Sequence, residues 1–308
     1  MTPREPPDQR APRAFTLAGQ TITARPLAPG LYLVATPIGN LRDVSLRALE
    51  ILAGADVIAC EDTRVSRKLL SHYGIATPLT PYHDHNAATA RPKLIARLDE
   101  GARVALVSDA GTPLVSDPGY RLVGAAQAAG HLVVAAPGAS AVLAALTVAG
   151  LPTDRFFFEG FLPPKETARR ERIAALARIP ATLVLFETGP RLAAALADLA
   201  AGLGEREAAV CRELTKLHEE VRRGTLADLA HAYRALPEPR GEIVIVTAPP
   251  ADAQPASAEE VDALLRNALD RLSVKDAVDE VAEVSGQPRR DVYRRALALK
   301  ADNDGATD

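Results

Sequence analysis

Three short apolar runs, each stopped by a turn rich in Gly, Pro or Ser, constrain the fold of this chain more than anything else in it. Leu31-Tyr32-Leu33-Val34-Ala35 ends in Thr36-Pro37-Ile38-Gly39-Asn40. Val104-Ala105-Leu106-Val107 ends in Ser108-Asp109-Ala110-Gly111-Thr112-Pro113. Leu132-Val133-Val134-Ala135 leads, one residue later, to Pro137-Gly138-Ala139-Ser140-Ala141. The runs do not alternate apolar with polar, so they predict strands covered on both faces, as in parallel sheets. Between them lie helical spacing at Val44, Leu46, Leu49, Leu52 and Ala53 before Gly54, a strand over 57–60, and helices over about 64–72 and 120–129. Strands alternating with helices predict an α/β domain over 29–150.

The pattern changes after Gly150. Four of the six phenylalanines fall in 156–161, and apolar strands follow at 182–186, 208–211 and 243–246 with helices between them. This predicts a second α/β domain over 151–249. Pro249, Pro250 and Pro255 mark 250–257 as a linker. A small helical, helix-turn-helix-like unit is expected over 258–301, with a tail at 302–308. Ser273-Val274-Lys275-Asp276 has the form of a capping box, Gly286 makes a turn, and Pro288 suits the first position of a helix. Residues 1–28, rich in Pro, Arg and Ala, read as a disordered extension.

With 308 residues, 47% of them hydrophobic and 24% charged, the chain can bury a sizeable core. Its net charge of −3 supplies no global field for nucleic acid, so RNA contact must rest on local patches. Two candidates are Lys165 with Arg169, Arg170 and Arg172, and Arg289, Arg290, Arg294 and Arg295 with Lys300. Cys60 and Cys211 lie far apart in apolar runs and read as buried reduced thiols. The polar N-terminus lacks the apolar stretch of a signal peptide, and no run reaches the ~18 apolar residues of a membrane span. A soluble cytoplasmic protein is expected.

In open α/β sheets, ligands bind beyond the carboxyl ends of strands, where small residues let them approach free main-chain groups. Any one of the three turns could be a tight connection only; three on one sheet point to a ligand. None has the G-x-G-x-x-G or G-x-x-x-x-G-K-[ST] pattern, which disfavours NAD and ATP and leaves an uncharged or zwitterionic nucleoside. Glu61-Asp62-Thr63-Arg64 could cap a helix, or form a substrate loop in which Arg64 grips phosphate. Tyr82-His83-Asp84-His85-Asn86 lacks a third ligand at metal-binding spacing, so capping by Asp84 or Asn86 is the better reading, and no metal is expected. Arg212 to Glu220 could be a solvated helix start or part of a site, and Phe186 to Arg191 is a further charged strand end.

Taken in order, these motifs resemble the ribosomal RNA small subunit methyltransferase I family. The match is carried by 31–41, Glu61-Asp62-Thr63-Arg64, Asp84-His85-Asn86, 108–113 with Ser116-Asp117-Pro118-Gly119, Pro137-Gly138, 159–163, 212–216 and Gly241-Glu242, and it spans about 30–300. The resemblance implies a tetrapyrrole-methylase-like two-domain fold with S-adenosyl-L-methionine (AdoMet) in the interdomain cleft. It also implies a homodimer that methylates the ribose 2′-oxygen of a cytidine in the decoding region of 16S rRNA. The low overall charge points to the assembled 30S subunit as substrate. By carry-over, Pro37, Asp109, Ala110, Gly111, Thr112, Pro113, Ser140, Ala141, Phe186, Leu214, Gly241, Glu242 and Ile243 hold the cofactor. Asp62, Arg64, Glu213 and Lys216 are the catalytic candidates, the cations serving phosphate contact or charge stabilisation. Glu187-Thr188-Gly189-Pro190-Arg191 departs from the family's Glu-Ser-Pro-His-Arg pattern. Two other functions are open: a methylase of a small molecule such as a tetrapyrrole, and a non-catalytic RNA-binding factor using only the C-terminal helices.

Overall fold

A computed structural model of the protein describes residues 13–115, 119–251, 258–269, 271–285 and 287–304. It opens with an antiparallel hairpin, β1 (Ala14–Leu17) and β2 (Gln20–Thr23). This corrects the expected disorder over 13–28; residues 1–12 of that span lie outside the described residues. Phe15 is 2% exposed and packs, with Leu17 and Ile22, into the same cluster as Leu52 and Tyr73. The Thr16 amide donates to the Tyr73 carbonyl at 2.7 Å, and Arg13 binds the Gly54 carbonyl and, at 2.6 Å, the Asp56 carboxylate.

The first domain runs β3 (Gly30–Val34), α1 (Leu46–Gly54), β4 (Val57–Cys60), α2 (Thr63–His72), β5 (Leu79–Pro81), α3 (Ala87–Asp99), β6 (Arg103–Val107), α4 (Tyr120–Ala128), β7 (Val133–Ala136) and α5 (Ala141–Ala149). Its strands are all parallel, in the order β5-β4-β6-β3-β7. One apolar cluster, with Leu49, Leu52, Leu69 and Leu70, puts α1 and α2 on one face; another, with Leu94, Leu98 and Leu122, puts α3 and α4 on the other. Both faces are covered, which accounts for the unalternating strand sequences. The chain leaves adjacent strands β3 and β6 toward opposite faces, so a crevice opens between their carboxyl ends.

The second domain runs β8 (Phe156–Phe161), α6 (Glu166–Leu176), β9 (Thr182–Thr188), α7 (Gly189–Leu203), β10 (Glu207–Arg212), β11 (Glu220–Thr225), α8 (Leu226–Ala235) and β12 (Glu242–Thr247). Strand order is β11-β10-β12-β9-β8, and only the β8–β9 pair is parallel. Helices α6, α7 and α8 cover one face. The other face is met by α5 of the first domain, whose Val142, Ala145, Leu146 and Ala149 pack on Ala209, Cys211, Val244 and Val246. The apolar helix α5 thus joins the two sheets.

Two charged segments differ from the sequence reading. Residues 213–219 form a turn rather than a helix start, with Glu213 and Thr215 in the left-handed region (φ 52° and 67°). The basic run on α6 is internally neutralised: Arg169, 7% exposed, and Arg170 both bind Asp198, and Arg172 binds Glu159 at 2.6 Å.

The C-terminal helices α9 (Ala258–Leu269), α10 (Val274–Ser285) and α11 (Arg289–Asp304) enclose a core of their own around Val261, Leu265, Val278, Val281 and Val292. The Ser273 hydroxyl accepts the Asp276 amide at 3.3 Å, as the capping motif predicts. Gly286, read as the turn, and 252–257 of the linker lie outside the described residues.

Candidate active site

The turns after β3 and β6 are tied together across the crevice. Thr36 and Gly111 exchange two main-chain hydrogen bonds, of 2.9 and 3.0 Å, and the Thr36 hydroxyl donates to the Ser108 carbonyl at 3.2 Å. Gly111 has φ +78°, and a Cβ there would press on Ile38 at 3.2 Å, so glycine fits the close approach. The third turn joins through Thr112, whose hydroxyl donates to the Ala139 carbonyl at 3.1 Å. Ser140 then caps α5, accepting the Leu143 amide.

The second domain brings the end of β9 and the start of β12 opposite these turns. A cleft of about 350 Å³ between the domains is lined by Asp109, Ala110, Gly111, Thr112, Ser140, Ala141, Phe186, Gly241, Glu242 and Ile243, ten of the residues expected to hold the cofactor. Phe161 and Phe186 form an edge-to-face pair on its wall, with centroids 5.7 Å apart. Of the other three expected residues, Pro113 lines a small adjoining cavity. Leu214 is 7% exposed in the core between α5 and the second sheet. Pro37 lines a second cavity of about 400 Å³, separated from the first by Ile38, Asp109, Ala110 and Glu242, which line both.

A clamp crosses the domains at this wall. The Lys216 ammonium donates to Glu213 at 2.7 Å and to Glu242 at 3.1 Å, and the Glu242 amide donates to the Glu213 carboxylate at 3.0 Å. Burial alone would lower the Lys216 pKa, but its bonds to Glu213 and Glu242 outweigh that and raise it. The bond from Lys216 holds the Glu213 carboxyl below its usual value. Gly39 of the first turn lies under the lysine stem, where a Cβ would come within 2.4 Å of Cγ, and the Asn40 amide donates to the Thr215 hydroxyl at 3.2 Å.

Asp62 and Arg64 line neither cavity. Asp62 is the N-cap of α2, accepting the Arg64 amide at 2.8 Å and pairing with the Arg64 guanidinium at 2.6 Å. The side-chain bond from Arg64, with the capping amides, holds its pKa at about 2. A carboxylate so engaged is a poor proton acceptor, and Arg64, 87% exposed, is held on Asp62. The capping alternative therefore describes this motif. Asn86 stands at the N-cap of α3 but its side chain makes no capping bond, which corrects that expectation: its oxygen accepts the His83 amide at 2.9 Å and its amide donates to the Pro81 carbonyl at 3.0 Å, both in the turn before the helix. On the C-terminal unit, Arg289 pairs with Asp279, Arg294 with Asp291 and Arg295 with Asp262, while Arg290 has no ion pair among the described residues.

Two acids emerge that were not among the expected site residues. Glu61 lines the first cleft, and burial, then the charges of Asp109 and Asp84, push its pKa up. Glu187 is 3% exposed on the same cleft. One of its oxygens accepts the Thr188 amide at 2.8 Å and lies 3.2 Å from Arg191; the other has no hydrogen-bond partner among the described residues. The signal for both was a carboxylate at the carboxyl end of an apolar strand. With Asp109 and Glu242, the first cleft carries four carboxylates and no lining lysine or arginine among the described residues.

Residues 30–230 match the Tetrapyrrole (Corrin/Porphyrin) Methylases, and the chain belongs to that family. A solved uroporphyrin-III-C-methyltransferase from Thermus thermophilus shares the architecture, at 25% identity and TM-score 0.52 over 71% of this chain and 94% of the other. Within the class, the chain is a member of the family of proteins named Ribosomal RNA small subunit methyltransferase I. The Mesorhizobium japonicum protein of that name is 55% identical over 95% of this chain and 99% of its own. The Erythrobacter litoralis one is 53% identical over 90% and 98%. Residues 255–300 match the RsmI C-terminal HTH domain.

Proposed function

We propose that this protein uses AdoMet to methylate the ribose 2′-oxygen of a cytidine in the decoding region of 16S rRNA, acting on the assembled 30S subunit in the cytoplasm. The observation that carries the cofactor is the first cleft. AdoMet bears a net positive charge, and four carboxylates line the cleft, one with a buried oxygen left unpartnered. Phe161 and Phe186 offer the adenine an apolar wall, and the small residues of the 109–112 and 241–243 segments let ribose and carboxylate reach main-chain groups. The RNA substrate rests on the named relatives, which align over nearly the whole chain, helical unit included.

The cofactor supplies a methyl group on a sulfonium, a leaving group already activated. The protein's share is to position the reactants and take one proton. Glu61 is the acceptor that fits: it faces the cofactor cleft, and its raised pKa makes it a stronger base than an ordinary carboxylate. The Lys216–Glu213–Glu242 cluster of the second domain, with the lysine stem on Gly39 and Thr215 bonded by Asn40 of the first, holds the wall between the cavities and places a cation beside the reacting region. Arg290 is the C-terminal arginine left for phosphate; Arg289, Arg294 and Arg295 contact RNA by exchanging their acidic partners. A homodimer belongs to the same reading, and light scattering of the purified chain gives its mass directly.

The test is transfer of labelled methyl from AdoMet to 30S subunits lacking the modification, followed by mapping of the labelled nucleoside. Label on a cytidine 2′-oxygen supports the reading. AdoMet binding without transfer to any RNA returns the substrate to the small-molecule class. Equal activity on naked rRNA and on 30S particles sinks the assembled-subunit part.

A further inference from the structure

We propose that the second cavity is the receiving chamber for one nucleotide turned out of its RNA, with the base between apolar walls and the phosphate at the exposed Lys68. This rests on the reading of the first cleft as the cofactor's. The two cavities share the wall of Ile38, Asp109, Ala110 and Glu242, so a ribose held in one meets a group presented from the other. Their charges differ in the sense the two ligands require. Among the described residues the first is charged only by acids, which suits a cationic cofactor; the second adds Lys216, whose charge Glu213 and Glu242 take up, and the exposed Lys68, the cation left for a phosphodiester.

The shape agrees with the charge. Leu41, Val65 and Leu69 give the second cavity apolar sides for the faces of a pyrimidine, and Ser66 and Ser108 give it hydroxyls for the edge. Ser66 is 7% exposed, and its hydroxyl faces the Cys60 thiol, with no oxygen or nitrogen partner among the described residues. A thiol is a weak hydrogen-bond partner, so the hydroxyl keeps bonding capacity that a base edge can use. About 400 Å³ lies within the range of small-molecule sites. A nucleotide stacked in an RNA helix cannot bring its base to the floor of such a cavity; one rotated out of the stack can.

Val65 lines the chamber at 37% exposure, so a larger side chain there fills the cavity rather than the core. The experiment uses the full chain saturated with S-adenosylhomocysteine and follows binding of cytidine 5′-monophosphate by NMR titration. Wild type should bind the nucleotide in the millimolar range. Val65→Trp should weaken it by about 10-fold or more while keeping S-adenosylhomocysteine affinity within about twofold. Lys68→Ala should weaken the monophosphate but not free cytidine, a readout that needs no change in the cavity walls. Undiminished nucleotide binding by Val65→Trp, loss of its S-adenosylhomocysteine binding instead, or no nucleotide binding by the wild type at millimolar concentration each overturns the chamber. Val65-dependent nucleotide binding without methyl transfer to any rRNA keeps the chamber and sinks the rRNA reading. Transfer to 30S subunits by Val65→Trp at the wild-type rate does the reverse.

Discussion

Glu61 and Asp62 are neighbours in sequence with opposite environments. Asp62 has its charge satisfied by an arginine and capping amides; Glu61 is partly desolvated beside two other acids. Neighbours of this kind divide the work, the satisfied carboxylate holding structure and the frustrated one holding a proton. Because the Glu61 pKa is raised, the ionised base is lost as pH falls at a point above the ordinary glutamate value of ~4.3. Glu61→Gln should lower kcat by roughly 10²-fold and remove that acid limb from the pH–rate profile, with AdoMet affinity little changed. Its thermal midpoint should be no lower than wild type at neutral pH, since a raised carboxylate pKa means ionisation works against the fold there. A large loss of AdoMet affinity would instead make Glu61 a cofactor ligand. Gly241 offers an independent check on the clamp. It has φ +98°, and a Cβ would meet the Glu213 carboxylate at 2.3 Å. Gly241→Ala should therefore cost about 1–3 kcal/mol in urea unfolding and weaken AdoMet binding together; unchanged binding would show the clamp irrelevant to the cleft.

The hairpin of β1 and β2 shows how an element can be written in sequence and still be missed. Phe15, Leu17 and Ile22 sit in an arginine- and proline-rich stretch, and two four-residue strands give too little periodicity to rise above it. Their partners are distant: Tyr73 and Leu52 in packing, Asp56 in charge. Strands β3 and β6 were legible because burial on both faces leaves an unbroken apolar run and a Gly- or Pro-rich stop, and β7, an edge strand with Ala135 exposed, by the same run and stop without that burial. The three-residue β5 was not, and the turn over 213–219 was hidden because left-handed Glu213 is held by the Glu242 amide, distant in sequence, and Thr215 by Asn40 of the first domain. The site was legible on the same terms: turns after strands were found, whereas Glu61 and Glu187 owe their character to neighbours far along the chain. Phe15→Ala should cost about 3–5 kcal/mol in chemical unfolding, a value near zero showing the hairpin to be detached. Asp56 ties this hairpin to the sheet through Arg13 and Arg103. Burial alone would raise its pKa, but the bonds from Arg103 and Arg13 prevail and hold it at about 2. That stabilisation is present above the unfolded value of ~3.9 and lost as pH falls toward the folded one. Asp56→Asn should lower stability by roughly 1–2 kcal/mol at pH 7 and flatten its fall in that acid window.

At the scale of the molecule, two bodies of packing differ in how they are joined. The α/β domains share α5, buried against the second sheet, and are clamped by Lys216 on Gly39 and by Thr215 on Asn40, so the cleft exists only while both are folded together. The C-terminal helices have a separate core made only of residues from α9 to α11 and their connections. Their charges are also paired within the unit, with Arg289, Arg294 and Arg295 each matched by one of its acids at the surface. Among the described residues, nothing in either cavity wall comes from beyond Val244. A chain ending at residue 251 should therefore keep AdoMet affinity within about twofold and unfold cooperatively at a midpoint close to that of the full chain. If the C-terminal unit contacts RNA, the shortened protein should also lose affinity for the 30S subunit and show a shallower dependence of binding on salt, because fewer phosphates are neutralised. Filter binding across a salt series checks this directly. An unchanged salt slope would move RNA contact onto the α/β body, where Lys68 at the mouth of the second cavity already waits for phosphate, and a lost AdoMet affinity would show the helices to be part of the cleft's support.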